Sequence, residues 1–281
     1  MEEMETCVNE KQGEATRGAG AADHRNIIVS ENGLSAVVDV VDGDIRLSAF
    51  GVPGSTPPTA FPPKEARWQR LVEVQVTGEN QDDHHNLKHT GTSPGARLRF
   101  LGYEDERHAD GRRLAFHAAD SRTGLRVTVH WGFQGDLPIL LAWTEVANEG
   151  SESLPLEHVS SFNFVGFDRD GDAPWQDALR FHYCRNNWKN ELQWRADTPR
   201  SLGLEPGEAF ELGRITTGAL GTFGTCGHLP MGALEKPETG EILFWELQHF
   251  GSWLAECGAI KNHAYLQLSG PTHNEHHWLR M

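Results

Sequence analysis

"LRVTVHW", residues 125–131, sets the local geometry of this chain. Leu125, Val127, Val129 and Trp131 fall on one side, and Arg126, Thr128 and His130 on the other. A period of two belongs to a strand with one face buried. A helix would scatter the same apolar residues around its circumference. The habit recurs in "RLRF" (97–100), "RRLAFHA" (112–118), "ALRFHY" (178–183) and "AYLQL" (264–268). It recurs also in "LVEVQV" (71–76), where Val72, Val74 and Val76 alternate with Glu73 and Gln75.

Turn signals separate these runs. Asn32-Gly33 and Asp42-Gly43 each stand between two strand-like segments, and both dipeptides supply the positive backbone angles of two-residue hairpins. Thr123-Gly124, Glu149-Gly150 and Thr239-Gly240 punctuate the rest. No amphipathic helix of three turns is readable. Strands without intervening helices argue against parallel β-α-β winding. The expectation is an all-β chain of a dozen or more strands, folded as one large antiparallel sandwich over residues 25–281. A disordered polar segment, residues 1–24, precedes it. Residues 52–63, "VPGSTPPTAFPP", read as a loop, because their prolines cannot donate to a ladder.

The chain has 281 residues and a formal charge of -15. Such a surface repels phosphate backbones and anionic lipid, so nucleic acid and membrane partners are not expected. Cys7, Cys184, Cys226 and Cys257 include no C-x-x-C pair, which removes the usual zinc and redox spacings. With no apolar run like that of a signal peptide or a membrane span, the expected location is the cytoplasm. No cofactor is expected.

Three polar clusters are candidates for chemistry. "GENQDDHHNLKHTG" (78–91) holds His84, His85 and His89 with Asp82 and Asp83. It follows a strand and ends in glycine, so the helical spacing that would join His85 and His89 on a metal does not apply. A ligand-facing or interface loop and a solvated loop at the sandwich end both remain open. "DRDGD" (168–172) lacks the glycine and glutamate positions of an EF-hand and reads as an acidic turn. "HNEHHW" (273–278) is a second histidine cluster on a loop. "NNWKNELQW" (186–194) differs, because Asn187, Trp188, Glu191 and Trp194 offer amide, carboxylate and indole together, the groups that hold a sugar. Against that stands a strand edge with packing tryptophans.

Several of these segments together resemble the N-terminal domain of glycoside hydrolase family 36, the α-galactosidases and their relatives. They are "LVEVQVTGENQDDHHNLKHTG" (71–91), "LPILLAWTEVANEGSESLPLEHVSSFNF" (137–164), "NNWKNELQW", "LFWELQHFGSWLAECG" (243–258) and "YLQLSGPTHNEHHW" (265–278). The resemblance implies a β-supersandwich of the galactose mutarotase-like architecture. It implies a partner as well: a (β/α)₈ barrel that carries the family's two catalytic aspartates, missing here or on another chain. No catalytic residue, metal or cofactor is therefore assigned to this chain. Asn187, Trp188, Glu191, Trp194, Asp83 and His84 are its candidates for a surface facing an α-galactoside or the barrel, and a homo-oligomer is among the partners the resemblance allows. On this reading the chain does not hydrolyse glycosides alone. Two alternatives stand beside it. One is a free-standing carbohydrate-binding or scaffold module, with Trp188, Trp194, Trp253 and Trp278 as stacking residues. The other is a mutarotase-like enzyme that uses a histidine and an acidic group as proton donor and acceptor, for which the sequence nominates no pair.

Overall fold

The computed structural model describes residues 24–52, 70–81, 88–168, 174–206, 213–260, 263–270 and 279–280. The proline-rich loop, "DRDGD" beyond Asp168, "HNEHHW", Asp83 and His84 lie outside them, as does the N-terminal segment before His24. Eighteen strands are described, with helices only at Ser93–Arg97 and Trp175–Ala178. No described helix is long and apolar enough to cross a membrane.

The first sheet is a meander of β1 (His24–Glu31), β2 (Leu34–Val41) and β3 (Asp44–Gly51). Asn32 and Gly33 join the first pair at φ 51° and 83°, and Asp42 and Gly43 the second at 52° and 83°. These are the two hairpins that the dipeptides predicted. A short sheet orders β18 (Leu279–Arg280), β9 (Pro155–Val159) and β4 (Val74–Val76). A four-stranded meander follows: β5 (Arg99–His108), β6 (Gly111–Asp120), β7 (Leu125–Gln134) and β8 (Leu141–Asn148). The stretch 125–131 lies in β7 and behaves as its alternation requires. Leu125, Val127, Val129 and Trp131 are buried, and the Trp131 ring meets Phe116 edge-on at 5.0 Å.

The remaining strands form two four-stranded sheets. One orders β12 (Asn190–Asp197), β11 (Arg180–Asn187), β14 (Gly227–Lys236) and β15 (Glu241–Glu246). The other orders β10 (Phe162–Val165), β17 (His263–Ser269), β16 (Trp253–Ile260) and β13 (Arg214–Ala219). All pairings among the described residues are antiparallel.

The last of these sheets departs from the half-buried expectation. Every residue of β16 is buried, and so is β17 from Ala264 onward. The register explains what each face does. Phe164, Leu266, Cys257 and Ile215 stand side by side in one cross-strand row and point into the main hydrophobic core. The next row, one residue along each strand, therefore faces the other way. It consists of Asn163, Gln267 and Glu256, all buried, and ends at Thr216, exposed on the edge strand β13. A polar row on a buried face is costly unless its groups are paired. Trp253 belongs to the apolar face. It is fully buried and its indole donates to Gly224 O at 2.5 Å, so it is core and not a stacking platform for sugar.

Candidate functional site

The polar row is covered by residues Lys88–Thr92, the end of the histidine-rich stretch. These residues are buried, not solvated, because two carboxylates draw them inward. Glu256 Oε1 accepts the His89 amide at 3.0 Å, and the His89 ring places Nδ1 3.0 Å from Glu256 Oε2. Tyr265 donates its hydroxyl to Glu256 Oε1 at 2.7 Å, and Arg214 donates to Oε2 at 2.5 Å. Glu73 holds the other end of the segment. It accepts from the Gly91 amide at 2.9 Å, from the Thr92 amide at 3.1 Å and from the Thr92 hydroxyl at 2.7 Å. Arg70 lies 3.3 Å from the same carboxylate and donates to Thr92 O at 2.9 Å.

The rest of the cluster closes around these pairs. Gln267 donates to His89 O at 3.2 Å, and Lys88 Nζ donates to Ala259 O. Asn163 donates to Arg70 O at 2.7 Å. His158, on β9, stacks face to face on His89 with ring centroids 4.3 Å apart. Gly258 makes room for this arrangement. A methyl group there would lie 2.8 Å from the Tyr265 ring and 2.9 Å from its hydroxyl, so only glycine lets the tyrosine lie across β16 to reach Glu256.

Burial by itself would raise the Glu256 pKa. The hydrogen bond from His89, the charges of His89 and Arg214 and the tyrosine hydroxyl outweigh it and hold the group at about 2. Burial and the adjacent carboxylate push Tyr265 well up, so it stays a neutral donor. Burial chiefly, with Glu256 and Asp168 adding to it, pushes Cys257 up to about 12. With Glu256 ionised, His89 donates from Nδ1 to the carboxylate, Arg214 Nη1 lies 3.2 Å from that same nitrogen, and the ring's other nitrogen is Nε2. That nitrogen is buried and has no hydrogen-bond partner among the described residues, as is also true of Gln267 Oε1 and Thr90 Oγ1. The cluster thus offers an oriented imidazole, a second imidazole stacked on it and an arginine whose side chain is 20 % exposed. No described group of three or more His, Cys, Asp or Glu residues has the arrangement of a metal site.

The residues singled out for sugar binding lie elsewhere. Asn187, Trp188, Glu191 and Trp194 all belong to the hairpin of β11 and β12, and β12 is an edge strand. Trp188 sits in its turn at 88 % exposure, and Trp194 is 48 % exposed. Glu191 accepts the Lys189 amide at 3.1 Å. The structure therefore brings these four into one exposed hairpin, apart from the buried cluster. Sequence reasoning had left His89 as one histidine among several and Glu73 on an outward face. It missed Glu256 altogether. The signal was a single charged residue within each of two otherwise apolar runs, "LVEV" and "WLAEC".

Comparison with solved structures fits this architecture. The α-galactosidase AgaB of Geobacillus stearothermophilus, of family GH36, superposes with a TM-score of 0.63 at 14 % identity, over 93 % of this chain and 40 % of the enzyme. The α-galactosidase of Lactobacillus brevis gives 0.65 at 13 %, over 91 % and 37 %. The fold is that of the N-terminal domain of the GH36 α-galactosidases. This chain spans about 40 % of the length of those enzymes. A putative aldose 1-epimerase from Escherichia coli K12 matches with a TM-score of 0.50 at 14 % identity, over 92 % of this chain and 94 % of that protein. No family model matches the sequence, and no curated protein does.

Proposed function

We propose that this chain interconverts the two anomers of a free aldose at the His89–Glu256 pair. The observation that carries the reading is the buried His89–Glu256 pair: Glu256 holds the ring at Nδ1, His158 stacks on it with centroids 4.3 Å apart, and Nε2 has no partner among the described residues. A buried polar atom left unpaired costs about 1–3 kcal/mol, so a group that completes Nε2 gains by binding there. The match over nearly the whole length of a putative aldose 1-epimerase supports the same reading.

The chemistry needs one proton taken and one given. His89 Nε2 removes the proton of the anomeric hydroxyl. The electron pair forms the carbonyl at C1, the bond from C1 to the ring oxygen breaks, and that oxygen takes a proton from His158, which must stand ready as the imidazolium against the His89 ring. Rotation about the bond from C1 to C2 exposes the other face of the carbonyl. Ring closure returns each proton to its histidine, and no electrons are gained or lost. Glu256 serves as the orienting carboxylate, since its oxygens are already engaged by Tyr265, Arg214 and the His89 amide. Arg214 is the member of the cluster that reaches solvent. Freshly dissolved α-D-galactose followed by proton NMR tests the proposal. Anomer exchange should accelerate with the chain and fall to the spontaneous rate with His89→Asn. An unaccelerated rate with the folded wild-type chain overturns it.

A second reading rests on the match to about 40 % of several α-galactosidases. On it the chain is the sandwich domain of an α-galactosidase-like hydrolase and works beside a catalytic barrel. Its exposed hairpin, with Asn187, Trp188, Glu191 and Trp194, then faces that partner or its sugar. Retaining hydrolysis needs a carboxylate nucleophile and an acid across one bond, and neither Glu73 nor Glu256 is free to be either. The chain alone then leaves an aryl α-galactoside intact, and turnover that survives repurification rules this reading out.

A further inference from the structure

Glu73 does not touch the His89 ring, yet both act on one short segment. Between His89 and Thr92 no residue pairs in a sheet apart from a single bridge between Gln81 and Thr92. The amides that a ladder would satisfy are given to side chains: His89 N to Glu256, and Gly91 N and Thr92 N to Glu73. Gly91 turns the chain between these anchors at φ 69°. The Thr92 hydroxyl donates to Glu73 and accepts from the Gly95 amide, which fixes the start of the helix Ser93–Arg97. Gly95 packs so closely that an added methyl would lie 2.6 Å from Glu73 Oε2. The far end of the segment is thus as tightly held as the end that carries the imidazole.

We infer that Glu73 is a positioning residue for His89. By fixing Gly91 and Thr92 it sets the height of the His89 ring between Glu256 and His158, and so keeps Nδ1 on the carboxylate. The inference rests on the epimerase reading for its consequence in catalysis, but its geometric content stands apart from any activity. A glutamine at position 73 turns an amide N–H toward amides that need an acceptor, which frees one side of the segment.

The test compares wild type, Glu73→Gln and Thr92→Val in protein labelled with ¹⁵N-histidine. In wild type the His89 ring is expected as the single Nδ1–H tautomer. In both variants it becomes a mixture of tautomers, and kcat for anomer exchange falls about tenfold to a hundredfold while KM is little changed. Thr92→Ser, which keeps the hydroxyl, restores both. A purely structural role lowers the melting temperature but leaves the tautomer unmixed, and that result overturns the inference. If Glu73→Gln does not fold, Thr92→Val carries the comparison. A wild-type chain without epimerase activity contradicts the proposed function, while the tautomer still decides the role of Glu73.

Discussion

Glu73 and Glu256 grip the same five residues: Glu256 accepts the amide of His89 at 3.0 Å, and Glu73 accepts the amide of Gly91, two residues on, at 2.9 Å. Neither carboxylate is exposed to water. A charge in such a place is tolerated only when paired and fully hydrogen-bonded. Glu73 meets that condition through Arg70, Thr92 and two main-chain amides, and Glu256 through Arg214, Tyr265 and His89. The cost of desolvating two acids is thereby turned into a fixed position for one imidazole.

The acid limb of the stability curve should report Glu256. Its folded pKa of about 2 lies below the ordinary value of 4.5, so its contribution is complete above about pH 4.5 and is lost as the pH falls toward 2. The amount is of order 3 kcal/mol. Urea unfolding between pH 2 and 6 should show this loss in wild type. Glu256→Gln should begin several kcal/mol less stable at pH 6 and lack that part of the slope.

Gly258→Ala places a methyl group against the Tyr265 ring and within 3.0 Å of Gly213 O. The tyrosine must leave Glu256 or the strands must separate. Overpacking of this kind costs about 1–3 kcal/mol. Chemical denaturation checks the loss. Gly33→Ala, at a turn with open space around it, is the control that separates crowding from the strain of φ 83°.

Thiol chemistry should divide by depth. Cys184 and Cys257 are buried, and burial raises both pKa values, so neither presents a thiolate. Cys226 is exposed. Maleimide labelling of the native chain followed by peptide mapping should modify Cys226 and spare Cys184 and Cys257 until denaturant is added.

Trp188→Ala should leave stability within about 0.5 kcal/mol, because the ring sits in an exposed turn. If the hairpin serves a sugar or a partner domain, the same change weakens that binding. Fluorescence titration with raffinose, read against Trp131→Ala as a core control expected to lose about 3–5 kcal/mol, separates the two effects.

The fold was largely legible in the sequence because alternation is a local signal. "LRVTVHW" and the Asn-Gly and Asp-Gly turns specify strands and hairpins without knowledge of any distant residue. The buried cluster was not legible in this way. In "LVEVQV" the alternation assigns Glu73 to the outward face, but that face meets Thr92 and Arg70 instead of water. His89 and Glu256 lie far apart in the chain and come together only through the register of β13, β16 and β17. Local patterning cannot say that a sheet will be covered on both sides. The tryptophans show the same limit: Trp253 and Trp188 carry the same side chain, and only the strand order puts the first in the core and the second in an exposed turn.

Anomer exchange of galactose in the presence of the purified chain bears most directly on the claim that the cluster performs chemistry. Two-dimensional exchange NMR at neutral pH should show interconversion of the α and β anomers above the buffer rate for wild type, and at the buffer rate for folded His89→Asn and Glu256→Gln. Interconversion at the buffer rate for all three proteins, with each shown to be folded, contradicts it.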